Sequence, residues 1–267
     1  MPSSLERSRK PRAATEMLCE RVFRPLAHLV VLALLPLRVP PPAVVAAAGL
    51  AGLAGAVELG RGELVAAALL VQVKTVLDNA DGQLARLSGR TSAFGRYLDS
   101  EMDLLVDAAL FAGLGAYTGR WVAAVAGFVA LTAVLSVNFN VERLYRAEHG
   151  GDGRAMPDAE GPATALLRRV YELVYAPQDR LVERVVARRL RGLPPAARAA
   201  YHDRATVTVM ANLGMSTQLA AFGLCLALGR PTMFVWIVLA ELGLVAGLAL
   251  RRELRLRGFV HRPEEAL

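Results

Sequence analysis

Four aspartates occur as two pairs in one stretch of the chain, Asp78 with Asp81 and Asp99 with Asp103. Spacings of three and four residues put each pair on one face of a helix. If the two helices pack with these faces opposed, four carboxylates converge, and they stay ionised only when cations neutralise them. Oxygen ligands of this kind favour Mg²⁺ or Mn²⁺ over Zn²⁺. Two such ions about 4 Å apart clamp a pyrophosphate, so the pattern predicts metal-dependent phosphoryl transfer.

The residues between the two pairs suit a ligand that carries phosphate. Gly82 and Ala85 remove side-chain bulk where a nucleotide must approach the backbone, and Arg86 offers a forked donor to phosphate. A carboxylate left partly free of metal can accept the proton of an attacking hydroxyl. The histidines and the two cysteines show no metal-ligand spacing, so zinc is not predicted.

The composition places these carboxylates in a membrane protein. The chain has 267 residues, is 54% hydrophobic and has a net charge of +7, with a mean hydropathy of +0.37. Carboxylates beside apolar runs are costly unless they have a partner or a function. We predict an all-α membrane domain at 17–252, a flexible basic N-terminus at 1–16 and a C-terminal tail at 253–267. We expect no signal peptide and no nucleic-acid partner.

The apolar runs predict six transmembrane helices, each near the roughly 20 residues that a bilayer requires. Their ranges are 43–59, 63–76 continuing into the aspartate stretch, 104–117 extended backwards through Asp99, 121–139, 207–228 and 233–250. In the first of them Gly49, Gly52 and Gly55 recur every three residues, which permits close helix packing. The segment 18–37 begins amphipathic and predicts an N-terminal interfacial helix; a first full span is the alternative.

The arginines predict the orientation. One side of the bundle carries most of them, including region 142–204 and those after residue 250, whereas the other side holds only Arg61, Arg120 and Arg230. By the positive-inside rule, the aspartates face the cytoplasm of a bacterial cytoplasmic (inner) membrane. Region 142–204 is too long for a turn. Beyond a flexible loop at 150–162, its periodicity predicts two amphipathic helices, on the inner membrane face or packed on the aspartate site.

The aspartate stretch also matches a known pattern, D-x2-D-G-x2-A-R-x8-G-x3-D-x3-D. Its fixed positions are occupied by Asp78, Asp81, Gly82, Ala85, Arg86, Gly95, Asp99 and Asp103. In these residues the chain resembles the CDP-alcohol phosphotransferases, also called CDP-alcohol phosphatidyltransferases. The motif covers only a tenth of the chain. The predicted six-span organisation around it is similar to that of the family too.

The resemblance implies a reaction, a cofactor and partners. Family members move a phosphoalcohol group from a CDP-alcohol, commonly CDP-diacylglycerol, to an acceptor hydroxyl and release CMP. It implies that two Mg²⁺ or Mn²⁺ ions are held by Asp78, Asp81 and Asp99, with Asp103 as the general base and also close to the second ion. It also implies a homodimer in the lipid bilayer. The implied CDP-binding residues are Asp78, Gly82, Ala85, Arg86 and Gly95.

Two features depart from the family pattern. Many members have a Pro-Asn-x-x-Thr run at the start of the first span, where this chain has Ala43 and Ala46. The insert at 142–204 is also longer than the connection in many members. The acceptor alcohol therefore stays open. A soluble CDP-polyol donor, as in inositol-phosphodiester synthesis, is one alternative, and a non-catalytic membrane scaffold or transporter is another.

Further charged residues near the motif have two interpretations each. Lys74 shares the face of Asp78, where it contacts a phosphate or forms an internal ion pair. Asp107 either tunes the charge of the site or pairs with Lys74, and we favour the pair. Arg143 and Arg146 follow the fourth span. They either contact the phosphate of an acceptor or act as positive-inside anchors. Glu101 points away from the aspartate face and is not expected to be a ligand.

Overall fold

The computed structural model describes residues 3–8, 13–150 and 161–261, with side chains as far as 258. Within these ranges all regular secondary structure is helical, which confirms the all-α prediction. The helices are α1 (Ser4–Arg7), α2 (Arg24–Leu34), α3 (Pro41–Arg61), α4 (Leu64–Ser88), α5 (Ala93–Thr118), α6 (Trp121–Glu148), α7 (Pro162–Val174), α8 (Ala176–Leu190), α9 (Pro195–Tyr201), α10 (Arg204–Ala211), α11 (Met215–Ala227) and α12 (Met233–His261). A π-helical turn, Cys19–Phe23, leads directly into α2.

Helices lie at all six predicted spans: α3, α4, α5, α6, the pair α10–α11, and α12. In the described part of the chain, four segments are long and apolar enough to cross a membrane: α3, α6, α12 and the run Pro195–Ala227. These segments give the chain the character of a multi-pass membrane protein. Helices α4 and α5 have sufficient length, at 25 and 26 residues, but carry the charges of the aspartate stretch. Six crossings therefore stay a prediction.

Two of these segments differ from the predicted ranges. The span predicted at 207–228 is broken, because α10 ends at Ala211 and α11 begins only at Met215. The Glu16 carboxylate lies against the break, where a Cβ on Gly214 would come within 2.7 Å of Glu16 Oε2. The last helix does not end near residue 250 but continues to His261. There the Arg252 guanidinium lies 4.0 Å above the ring of Tyr201 and binds that residue's carbonyl oxygen.

The N-terminal segment, for which the sequence predicts flexibility at 1–16, forms contacts with the helical bundle. The Ser3 side chain caps α1, and Ser8 is fully buried and donates to Gln83 Oε1 at 3.2 Å. Glu16 is also buried, with 2% exposure. These contacts concern residues 3–8 and 13–16, whereas 1–2 and 9–12 lie outside the described residues. The flexibility of 1–16 stays a prediction.

The helix predicted to be interfacial is amphipathic in the structure. Its inner face buries Ala27 and Val31 against α4, and its other face exposes Val22, Leu26 and Leu29. Such a division suits a helix that covers the bundle on one side and contacts lipid on the other. A position in the plane of the bilayer stays a prediction.

Small residues bring α3, α4 and α5 close together. Val106 and the stem of Lys74 lie directly beside Gly52, where an added Cβ would contact both side chains. Farther along the bundle, a Cβ on Gly113 of α5 would lie 2.4 Å from the carbonyl oxygen of Ala56 in α3. Glycines therefore permit close helix packing, as predicted for α3, and Gly113 does the same on α5.

The insert contains the two predicted amphipathic helices, α7 and α8, and packs on the aspartate helix. The Tyr175 hydroxyl donates to the carbonyl oxygen of Ser100 at 3.2 Å, and Tyr171 contacts Tyr97 edge to face at 5.8 Å. Both contacts join the insert to α5. Most of the predicted loop at 150–162 lies outside the described residues.

The close approach of α5 to α3 predicts that substitution of Gly113 destabilises the protein more than substitution of Gly247. Gly113→Ala forces a methyl group against a backbone carbonyl, and overpacking of this kind costs about 1–3 kcal/mol. Gly247→Ala in α12 meets nothing within 4 Å. We expect the first variant to lower the thermal unfolding temperature of the purified protein and the second to leave it unchanged or raise it. Equal melting temperatures would contradict the close α3–α5 contact.

Candidate metal and nucleotide site

A tight turn places the two aspartate pairs opposite each other. Helix α4 ends at Gly89, whose φ of +68° is the left-handed conformation that favours glycine. Helix α5 then starts at Ser92, whose side chain accepts a hydrogen bond from the Gly95 backbone N–H at 3.1 Å. The chain therefore reverses within a few residues, and the last turns of α4 face the first turns of α5.

Three of the four aspartates form a cluster suited to a cation. Asp78, Asp99 and Asp103 each present a carboxylate oxygen within 4.8 Å of the others. Asp81 lies on the same cavity, is only 7% exposed, and its Oδ2 atom is buried without a hydrogen-bond partner among the described residues. A buried carboxylate oxygen in that position is costly unless a cation binds it. Hard oxygen donors of this kind fit Mg²⁺ or Mn²⁺.

Lys74 supplies a positive charge to this cluster from within the protein. Its ammonium lies 3.0 Å from Asp78 Oδ1 and 2.5 Å from Asp103 Oδ1, and the side chain is 2% exposed. The internal ion pair is therefore present, but the favoured partner is wrong: Asp107 forms no ion pair with Lys74 in the described structure. Asp107 lies one turn beyond Asp103 on α5, whereas the Lys74 ammonium contacts Asp78 and Asp103.

The carboxylates line a cavity of about 280 Å³. Gly82 and Arg86 also line it, as predicted for the nucleotide site, whereas Ala85 and Gly95 do not. Gly95 instead occupies the first turn of α5, near Pro42. The cavity is bounded in addition by Glu16, Cys19, Glu20, Arg24, Asn79, Gln83, Leu135, Asn138, Phe139, Glu142, Ala211, Gly214, Met215 and Ser216.

Both arginines of the cavity bind the N-terminal segment. Arg86 Nε donates to the Ser8 carbonyl oxygen at 2.6 Å, and Arg24 donates to the carbonyl oxygen of Leu5. Arg24 also pairs with Glu20 at 2.7 Å. The segment therefore lies along the cationic side of the cavity, with its neutral backbone oxygens on the two guanidinium groups.

The break between α10 and α11 places Gly214, Met215 and Ser216 in the cavity wall. Glu16 Oε1 accepts hydrogen bonds from the backbone N–H of Thr217 at 2.8 Å and from its hydroxyl at 2.9 Å. These donors belong to the first turn of α11, where backbone N–H groups have no partner within the helix. Glu16 thus closes the N-terminus of α11, and the break positions Ser216 beside Asn79, with which it forms a 3.1 Å hydrogen bond.

Comparison with known proteins assigns this arrangement to a family. The family model described as CDP-alcohol phosphatidyltransferase matches residues 28–177, which is more than half of the chain and contains every fixed position of the aspartate motif. The chain belongs to the CDP-alcohol phosphatidyltransferase family. Members of this family use a CDP-alcohol donor, an alcohol acceptor and a divalent metal.

Individual relatives match over shorter stretches. The chain is 36% identical over 89 residues to a bifunctional IPC transferase and DIPP synthase of Rubrobacter xylanophilus, covering 33% of this chain and 20% of that protein. It is 40% identical over 74 residues to a phosphatidylinositol phosphate synthase of Streptomyces avermitilis, covering 27% and 30%. It is 42% identical over 50 residues to an archaetidylinositol phosphate synthase of Pyrococcus horikoshii, covering 19% and 27%. The aligned part thus spans less than a third of each of these three relatives.

The two arginines after the fourth span do not line the cavity of this family member. Arg143 pairs with Glu183 of the insert at 2.5 Å and donates to Asn140 at 2.9 Å. Arg146 lies farther along α6, and it too is absent from the residues that bound the cavity. In the described structure, Arg143 therefore joins α6 to the insert, and its predicted contact to an acceptor phosphate stays a prediction.

A hydrogen-bonded network connects the insert to the aspartate helices. Asp179 of α8 accepts from Asn140 of α6 at 2.6 Å and from the Tyr171 hydroxyl at 3.0 Å. Burial raises the pKa of Tyr175, and the negative charges of Asp103 and Asp107 raise it further. Its hydroxyl therefore stays protonated and donates to α5. The insert therefore packs against the helix that carries Asp99 and Asp103.

Several cavity residues were missed by sequence reasoning. Asn79 lies between the motif aspartates, so its polar side chain was a usable local signal. Arg24 was visible only as a charge on an amphipathic helix. Glu16 and Ser216 carry no sequence signal for this role, because the helix break that brings them together is a long-range contact.

The position of Lys74 predicts a coupling between this residue and metal. Lys74→Met keeps the apolar stem but leaves Asp78 and Asp103 without their ammonium partner, and removing one partner of a buried ion pair costs about 3–5 kcal/mol. In EDTA, we expect the Lys74→Met variant to melt at a lower temperature than the native chain. On addition of Mg²⁺, its melting temperature should rise by more than that of the native chain. The reason is that the ion then compensates charge that Lys74 no longer balances.

The matched control for this experiment is Arg61→Met. Arg61 pairs with Glu58 on the surface at the far end of α3, with 67% side-chain exposure. An exposed pair of this kind contributes little to stability, so neither its EDTA nor its Mg²⁺ melting curve should shift. If Lys74→Met behaves like this control in both buffers, the proposed charge compensation is wrong.

Proposed function

We propose that this protein transfers a phosphoalcohol group from a CDP-alcohol to an acceptor hydroxyl and releases CMP. The observation that carries the proposal is the convergence of the carboxylates of Asp78, Asp99 and Asp103 on a cavity that also contains Asp81 and Arg86. In a member of the CDP-alcohol phosphatidyltransferase family, this combination supplies metal ligands, a proton acceptor and a phosphate donor group in one place.

Asp78, Asp81 and Asp99 would hold two Mg²⁺ or Mn²⁺ ions, and Asp103 would lie close to the second ion. Bound there, the ions would neutralise the charge of the donor diphosphate and of the departing CMP. Arg86, whose guanidinium faces the cavity beside Gly82, would bind the diphosphate in place of its present partner, the Ser8 carbonyl oxygen. A charged phosphate is a stronger acceptor for guanidinium than a neutral carbonyl is.

Asp103 is the proposed general base. Lys74 binds its Oδ1 atom, which leaves the second carboxylate oxygen to take the proton of the acceptor hydroxyl. As that proton moves to Asp103, the hydroxyl oxygen forms a bond to the donor phosphorus. The bond between this phosphorus and the CMP oxygen breaks, and CMP leaves with the electron pair.

The proposed donor is CDP-diacylglycerol, drawn from the bilayer by a site set among apolar helices. The site would face the cytoplasm of a bacterial inner membrane, and the enzyme would act as a homodimer in phospholipid synthesis. Two relatives are named as synthases of inositol phosphate lipids. An inositol phosphate is therefore the first acceptor to test.

A soluble CDP-polyol is the second candidate donor. The relative from Rubrobacter is named as an IPC transferase and a DIPP synthase. At the start of the first span this chain also has Ala43 and Ala46 in place of the Pro-Asn-x-x-Thr run of the family pattern. Purified protein should be given CDP-diacylglycerol or CDP-inositol, each with Mg²⁺ and inositol phosphate. CMP release with the first donor supports the main proposal, and release with the second alone supports the alternative. Metal-dependent CMP release excludes a silent scaffold. Its absence with both donors, when glycerol phosphate and serine are also supplied as acceptors, contradicts both enzyme assignments.

The role of Asp103 predicts a selective loss of activity. Asp103→Asn keeps the shape of the side chain but cannot accept the proton, and loss of a general base lowers the rate by about 100-fold or more. We expect CMP release to fall by at least this factor while the melting temperature shows a folded protein. The measurement is CMP release at saturating donor and metal.

Glu101→Gln is the matched control, since it makes the same change two residues away. Glu101 is outside the carboxylate cluster and does not line the cavity. Its variant should retain most of the native rate. An Asp103→Asn enzyme as active as this control would remove Asp103 from the mechanism.

A further inference from the structure

A groove lies at the end of the bundle opposite to the aspartates. Helix α5 carries Asp99 near its start and Thr118 at its end. At about 1.5 Å per residue these positions are about 29 Å apart, which is close to the thickness of the hydrocarbon core of a bilayer. The groove adjoins Thr118, so it lies at the level of the other leaflet.

The groove consists of two cavities that share Arg120, Thr232 and Trp236. The first, of about 490 Å³, lies between the α5–α6 and α11–α12 turns and contains Arg230. The second, of about 560 Å³, continues between α6 and α12 and is lined mainly by apolar side chains. Trp236 is 70% exposed. The groove is therefore cationic at its outer end and apolar along the helices.

The two arginines at its outer end carry uncompensated charge. Arg120 and Arg230 are both exposed, and neither guanidinium forms a hydrogen bond or an ion pair within the described part of the chain. Arg61, at the same end of the bundle, differs because it pairs with Glu58 at 2.8 Å. Two unpaired guanidinium groups on one cavity match a phosphate, which accepts forked hydrogen bonds.

We propose that this groove binds an anionic phospholipid of the leaflet opposite to the aspartate site. The phosphate would lie between Arg120 and Arg230, and an acyl chain would follow the apolar cavity past Trp121 and Trp236. Both tryptophans then sit at the interface level, where indole rings are enriched. A second copy of the chain fits less well, because a symmetric contact through this end would bring four unpaired cations together.

The tryptophans supply a direct assay, since they are the two tryptophans of the chain and both line the groove. The full chain is reconstituted in phosphatidylcholine vesicles, and brominated phosphatidylglycerol or brominated phosphatidylcholine is titrated in. Bromine quenches tryptophan fluorescence on contact. One cation at a membrane surface raises the binding constant for an anionic lipid by about fivefold over that for a neutral lipid. We expect the native chain to prefer phosphatidylglycerol, and Arg120→Gln and Arg230→Gln each to lower that preference by about fivefold.

Arg61→Gln is the control and should keep the native preference, because Arg61 is outside the groove. Equal quenching of the native chain by the two brominated lipids overturns the proposal. So does fluorescence that neither lipid quenches, because it means that protein covers the groove. The readout involves no catalysis, so a failure of this proposal leaves the phosphotransferase assignment untouched, and the reverse also holds.

Discussion

Mutual repulsion of carboxylates is the constraint on which the rest of this structure depends. Asp78, Asp99 and Asp103 hold oxygens within 4.8 Å of one another. At about 4 Å, two unit charges repel by about 4 kcal/mol at an effective dielectric constant of about 20. Three such pairs approach on the order of 10 kcal/mol, comparable to the folding free energy of a whole domain. Cations therefore stabilise the cluster, and the Lys74 ammonium supplies one positive charge from within the protein.

Tight packing keeps the two aspartate helices together against this repulsion. Gly52 of α3 makes room for both Val106 and the stem of Lys74, so the ammonium reaches the carboxylates from a fully buried position. Farther along, Gly113 brings the backbone of α5 against that of α3. On the other side, Tyr175 of the insert holds the Ser100 carbonyl. The packing energy that offsets the repulsion between the carboxylates thus comes from several contacts, some of them distant from the charges.

The parts of this structure that follow from local spacing were predictable. Aspartates three and four residues apart lie on one helix face wherever the helix packs, and the periodicity of 162–190 gave the two amphipathic helices of the insert. Of the two partners of Lys74, Asp78 lies four residues along the same helix and was predictable. Asp103 was not, because spacing along α4 cannot show which turn of α5 lies opposite. The break at Gly214 was also missed. It depends on Glu16, about 200 positions earlier in the chain, and no local pattern contains such a contact.

The same distinction explains why the reaction class is clearer than the substrate. The motif and its two helices occupy residues 64–118, and these contain the proposed metal ligands and the proposed base. The rest of the cavity wall comes from other segments, since Ser8 and Leu5 bind its arginines and the α11 N-terminus closes one side. An alignment of 89 residues cannot contain both Asp78 and the end of α8 at Leu190. Similarity of that length therefore supports the proposed chemistry of the aspartates, but it does not span the segments that complete the cavity.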